Sequence, residues 1–488
     1  MNKTLIKGLG WLFPLLFIVL LCFRIVLREK EYTDYALLFV LGCIGGYFIL
    51  FKKELFYSMA IFLVPLSVNT SIISGSNLSA PSELMISCLA LVAIFIGLIR
   101  PTYFKKILFH PLSFLLLIDL CWMIIASFYS DMSLYSFKRV LARFLFLIVF
   151  YLFTAHWVIK PENLIKFFLL YSLGLIIPIF VTEYHHSFYN FNPRTVYELC
   201  KPFYNDHTIY GASIAYLLPF MLILSIKARS FGFSKKNSIG LWVLFSVFVV
   251  AEILAFSRAA WLSIGVSLLM FVFLKLRLKF WHFILGLSTL IVLFIHFKDP
   301  LYERARRNEN VSNKGEIGEH LMSVSNLNSD ASNLERINRW SSAIRMYEDR
   351  PITGFGPGTY QYVYGPYQSV YEMTYISTMA GDRGNAHSEP LTYLSETGLP
   401  GFISYLIWSL ATFAFGIRAY HKSKNVIVKN MVLAALLGFT TFFFHGMVNS
   451  FIDQVKVASL VFGSMAMIVV ADVAGKINPS TYEKEEGH

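Results

Sequence analysis

The sequence predicts an all-α polytopic membrane protein, with about 12–14 transmembrane helices and one large, partly helical loop on the outer side. Three observations carry that expectation. The 488 residues are 56% hydrophobic and 15% charged, with a mean hydropathy of +0.58, whereas a soluble domain carries about 25% charge. Apolar runs of roughly 17–25 residues, enough to cross a bilayer, recur along most of the chain. Lys and Arg gather in short clusters between these runs, at Lys52-Lys53, Lys105-Lys106, Lys235-Lys236 and Lys275/Arg277/Lys279. The net charge of +12 therefore reads as membrane topology and not as a nucleic-acid surface.

Taken in order, candidate spans fall near 9–27, 35–51, 55–73, 82–99, 111–129, 140–158, 163–182, 209–227, 239–256, 259–274, 281–297, 399–417, 427–449 and 457–474. They group as N-terminal helices (1–200), a helical core (201–297), a large polar segment (298–398), and C-terminal helices with a short tail (399–488). Lys3 and Lys7 precede the first run without a small-residue cleavage site, which reads as a retained span. Four of the five cysteines lie in apolar runs, and Cys200 alone is in a polar loop, so no intrachain disulfide is expected. Short loops on the N-terminal side hold most of the Lys and Arg, which puts both termini in the cytoplasm. The loop 183–208, the turn at Ser257-Arg258 and the segment 298–398 then share the outer face. Within that segment, Leu334, Ile337, Trp340, Ile344 and Tyr347 recur at helical spacing until Pro351 stops them.

Few residues in this setting carry chemistry. Arg258, in "AFSRAAWLS", sits at a tight turn between two spans. It reads either as an interfacial arginine reaching the headgroups or as a fixed cation for a phosphate. Arg139 and Arg143, four apart on one helix face, are weaker candidates for the same task. Asp206 and His207 stand just before a span, as a proton-handling pair or as a helix cap. Arg336 and Arg339, in "RINRW", read as a solvated helix face or as further cations for that phosphate. His387, followed by Glu389 in "GNAHSEPLTYL", can accept a proton from a hydroxyl near neutrality. "PITGFGPGTYQYVYGPY" lacks the lysine and the strand–turn–helix setting of a nucleotide loop, and reads as a shaped aromatic loop of the kind that binds sugars. No HExxH, Cys/His cluster or G-x-S-x-G elbow occurs.

"FSRAAWLS", "RINRWSSAIRMYEDRPITGFGPGTY" and "AHSEPLTYLSETGLPGF", in that order, resemble the O-antigen ligase and polymerase superfamily. The resemblance covers roughly residues 200–410. It implies a glycosyltransferase of the bacterial inner membrane that moves a glycan from undecaprenyl pyrophosphate to an acceptor hydroxyl on the periplasmic face. Displacement at the anomeric carbon would be inverting, without a cofactor or metal. The resemblance matches Arg258 and Arg336 to the family's donor-binding arginines, with Arg339 as an extra, and matches His387 to its catalytic histidine. The family commonly has Asn after that histidine, where this chain has Ser388. The favoured acceptor is a lipid A–core sugar. A second lipid-linked repeat unit (a polymerase) or a protein hydroxyl are the alternatives. A lipid-glycan flippase is the reading from a different class, and the chain shows no internal repeat and few mid-span charges to support it.

Overall fold

The structure, a computed structural model, describes residues 51–73, 76–99, 104–193, 195–286, 288–289, 292, 331–374, 377–378 and 384–474. The candidate spans 9–27 and 35–51, and most of 281–297, lie outside them. Ten helices among the described residues are long and apolar enough to cross a membrane, and the chain is an all-α polytopic membrane protein. The longer helices are α1 (Lys53–Leu63), α2 (Ser82–Ile99), α3 (Pro111–Phe128), α4 (Ser133–Trp157), α5 (Pro161–Ser187), α6 (His207–Lys227), α7 (Lys235–Leu254), α8 (Arg258–Lys275), α9 (Ala331–Asp349), α10 (Glu389–Lys422), α11 (Val426–His445) and α12 (Val455–Ala474), all but α1 and α9 belonging to those ten.

Two expectations change. The apolar stretch 55–73 is not one span. Its helix stops at Leu63, Pro65 sits in a short 3-10 turn, and β1 (Val68–Ile73) pairs antiparallel with β2 (Ser76–Ala80). A proline without an N–H cannot extend the helix, and the Ser, Asn and Thr that follow favour turns and strands. The span expected at 399–417 begins ten residues earlier, at Glu389, and kinks at Gly398, whose φ is +68°. Its first turns therefore carry the polar motif that follows His387.

Burial sorts the helices into a centre and a rim. α6, α11 and α12 are covered almost all round, while α2, α7 and α8 turn apolar side chains such as Leu91, Phe95 and Leu268 outward. Lipid tails are as apolar as leucine, so close packing must hold the centre together. Glycines permit it: a Cβ at Gly438 would lie 2.5 Å from the Tyr216 ring, and one at Gly463 would lie 2.3 Å from Phe167.

The helix order brings the polar connections to one end of the bundle. The β-hairpin touches the 188–206 loop through Asn69 Nδ2 donating to Asn205 Oδ1, 3.2 Å. Arg350, just past α9, pairs with Asp131 between α3 and α4, 2.6 Å. The 446–454 connection between α11 and α12 closes the same end. At the opposite end α8 finishes in a Schellman turn, with Arg277 N–H donating to Leu274 O and Leu278 N–H to Phe273 O. Arg277 takes φ +53° there, a conformation that costs a residue with a side chain about 1–2 kcal/mol.

Candidate functional site

The turn 384–388 is built to present His387. Asn385 Oδ1 accepts from the His387 backbone N–H (2.9 Å), and Trp340 Nε1 of α9 donates to the His387 carbonyl (3.1 Å). His387 itself holds φ +47°, a left-handed conformation that needs such surrounding bonds to persist. Asn385 Nδ2 also donates to Ser450 O, 3.1 Å, which ties the turn to the 446–454 loop.

Glu389 supports this loop and does not face it as a free acid. Its Oε1 accepts from the Ile452 N–H at 2.7 Å and from the Phe451 N–H, while Ser450 Oγ donates to Oε2 at 3.2 Å. Asn449 is thereby held beside the His387 ring. Arg339 has a comparable bracing place. It is buried, pairs with Glu335 through Nε (2.8 Å), lies over the Tyr364 ring at 4.8 Å and reaches Asn385 O at 3.4 Å. Gly384 lies against its guanidinium, leaving no room for a Cβ.

Arg336 sits one turn before Trp340 on α9 and is close enough for its charge to act on His387 and on His445. Asp206 caps α6, accepting from the Thr208 N–H at 2.7 Å, and its Oδ1 stands 3.1 Å from His207 Nδ1. Burial opposes charge on Asp206, but His207 and the Thr208 bonds hold its carboxyl down at about 2. This anion also acts on His387 and His445. The structure thus gathers His387, Arg336, Asp206, His207 and the Asn449 loop at one end of the bundle.

Arg258 opens α8 after a three-residue turn in which Phe256 has φ +48°. The turn packs on α6 at Gly211, where a Cβ would meet Ser257 Cβ at 3.0 Å. That is one helical turn from His207, so Arg258 stands, half-buried, on the flank of the same end. Arg143 and Arg139 go elsewhere. Arg143 is buried and donates to Tyr393 Oη (2.6 Å) and Asp453 Oδ1 (3.0 Å), with Asp119 at 3.5 Å. Arg139 pairs with the other Asp453 oxygen at 3.4 Å. Burial would raise the Asp453 carboxyl, yet these two arginines keep it below its ordinary value.

The loop expected to bind sugars acts largely as a clasp. The Phe355 and Gly356 N–H groups donate to Ser395 O and Glu396 O of α10 at 3.1 and 2.8 Å. The Glu396 carboxylate accepts from the Gly358 and Tyr360 N–H groups. Tyr360 and Tyr364 stack on each other, 5.2 Å apart, and are buried; Tyr362 and Tyr371 remain exposed. Sequence reasoning missed Asn385, Asn449 and His445. His445 ends α11, buried, with neither ring nitrogen hydrogen-bonded. The run of polar residues between two spans, "HGMVNSFIDQ", was the available signal.

No curated protein matches the chain. Residues 239–406 match the family model described as O-antigen ligase. That stretch runs from α7 into α10 and holds Arg258, Arg336, Arg339, His387 and Glu389. Arg139, Arg143, Asp206, His207 and His445 lie outside it.

Proposed function

From the match of residues 239–406 to the O-antigen ligase family model, we propose that the protein transfers a glycan from undecaprenyl pyrophosphate to the hydroxyl of a lipid A–core sugar, on the periplasmic face of the bacterial inner membrane. The observation that carries this reading is the placing of His387, held through its backbone by Asn385 and Trp340, within reach of the Arg336 charge at the polar end of the bundle. The opposite end carries the dense Lys and Arg clusters, which supports both termini being cytoplasmic.

In the reaction, the acceptor hydroxyl oxygen attacks the anomeric carbon while its proton passes to the His387 imidazole. The bond from that carbon to the pyrophosphate oxygen breaks, with inversion, and its electron pair stays on the phosphate. Arg336 and Arg258 neutralise the charge developing there. Arg339 holds the His387 turn against Glu335 and Tyr364, and Glu389 and Asn385 hold the loop behind it. Asp206, paired with His207, adds a negative charge that acts on His387. His387 afterwards loses its proton to water.

Burial, and then Arg339 and Arg336, push the His387 imidazole down to about 3. The neutral form is the one that accepts a proton, so a lower value extends the competent form toward acid pH. We expect kcat/KM, which reports the free enzyme, to show no acid limb from this group between about pH 5 and 8. In Arg336→Gln an acid limb moves up toward the ordinary histidine value. Pyrophosphate, by neutralising the arginines, has the same direction of effect on kcat. A wild-type kcat/KM limb near pH 6.5 would contradict the arrangement.

The test of the reading is deletion of the gene in the source bacterium, complemented with the wild-type chain, followed by a lipopolysaccharide gel. A ligase loses the long-chain ladder while polymerised glycan accumulates on its polyprenyl carrier. A single repeat left on the core identifies a polymerase. An unchanged pattern removes both and directs attention to protein glycans.

A further inference from the structure

At the end of the bundle away from His387, α8, α10 and α11 line an open pocket of about 440 Å³ formed by Leu274, Lys275, Arg277, Tyr420, His421 and Lys429. Four of the six lining side chains are basic. Among the described residues, no ion pair joins any of the four to a carboxylate. The nearby Arg418, by contrast, is bidentate on Asp472.

Folding explains only part of this. Lys275 and His421 lie in the last turns of α8 and α10, where a helix dipole favours a cation. Lys429 lies in the first turn of α11, where the dipole disfavours one. Arg277 occupies the left-handed position of a Schellman turn, which glycine fills at no steric cost. Two of the cations thus stand where the backbone would prefer another residue. Trp281, four residues after Arg277 in the chain, is exposed, and tryptophan is enriched at the level of lipid headgroups.

We propose that this pocket binds a phosphate-bearing anion through Arg277, Lys429, Lys275 and His421, supplied by an anionic lipid headgroup or by a soluble phosphate compound. Basic pockets between helices on the Lys/Arg-rich side are suited to multiply charged headgroups. The site lies on the far side of the bundle from His387 and uses none of the residues assigned to transfer.

The test uses the purified full-length protein in detergent, wild type against Arg277→Gly and the double variant Arg277→Gly/Lys429→Gln. Thermal denaturation is followed with added cardiolipin, phosphatidylcholine or inorganic pyrophosphate. Without additive, Arg277→Gly denatures no lower than wild type, since glycine suits that backbone. Cardiolipin raises the wild-type transition and phosphatidylcholine does not. The double variant needs about 30-fold more cardiolipin for the same rise, from about 1 kcal/mol per lost charge. If pyrophosphate protects instead, and that protection weakens in the double variant, the same site takes a soluble phosphate. The proposal fails if neither anion protects the wild type, or if protection is undiminished in the double variant.

Discussion

The His387→Asn variant is expected to fold normally and to lose about 10²–10⁴-fold in transfer rate. Asparagine is the informative replacement because it tolerates the left-handed backbone that His387 holds at φ +47°. The bonds that fix this turn use the backbone of residue 387, its N–H donating to Asn385 Oδ1 and its carbonyl accepting from Trp340 Nε1, so they survive the change. Only the proton acceptor is removed. The rate is measured with a lipid-linked donor and the purified acceptor, beside a melting curve that checks the fold. Transfer at the wild-type rate by a folded variant would take His387 out of the chemistry.

The largest effect on stability is expected at Arg143. Its guanidinium, buried in α4, serves Tyr393 of α10, Asp119 of α3 and Asp453 of the 446–454 loop. Arg143→Met removes one positive charge and leaves two carboxylates facing each other with Arg139 alone for compensation. Breaking a buried pair in this way costs about 3–5 kcal/mol, because the orphaned charge remains in a poor solvent. The variant should denature at a markedly lower temperature in detergent, and the added change Asp119→Asn should recover part of the loss. An unchanged melting temperature would show that the network does not hold these helices together. Activity falls as well, since the loop tied by Asp453 also carries Asn449 beside His387.

These two arginines mark the boundary of what could be read from the chain. Arg139 and Arg143 were legible as neighbours on one helix face, because spacing of four residues settles that. Their partner was not, since Asp453 is more than three hundred residues away and only the packing of α4 on α12 brings them together. Arg339 shows the same limit. As a sequence feature it is indistinguishable from Arg336 in "RINRW", yet one turns into a pocket of Glu335 and Tyr364 and the other stands by two histidines. The tyrosines of the Gly/Pro loop looked like a sugar platform because composition reveals aromatic content and not which side of the ring is covered. The run 55–73 misled for a local reason, as hydropathy averages over Pro65 and the strand formers that follow it.

The sequence by itself determined that the chain lives in a bilayer, roughly where most of its spans lie, and which polar connections, with His387 among them, share one end. Each of these follows from short-range rules of hydropathy, capping, proline and charge. Tertiary structure alone decided that Arg339 and Arg143 brace their neighbours while Arg336 stands within reach of two histidines. It also decided that Glu389 holds a loop and that four basic side chains share a pocket at the opposite end. The reason is physical. A charge in a low-dielectric bundle takes its role from the groups within a few ångströms, and those groups arrive from helices far apart along the chain.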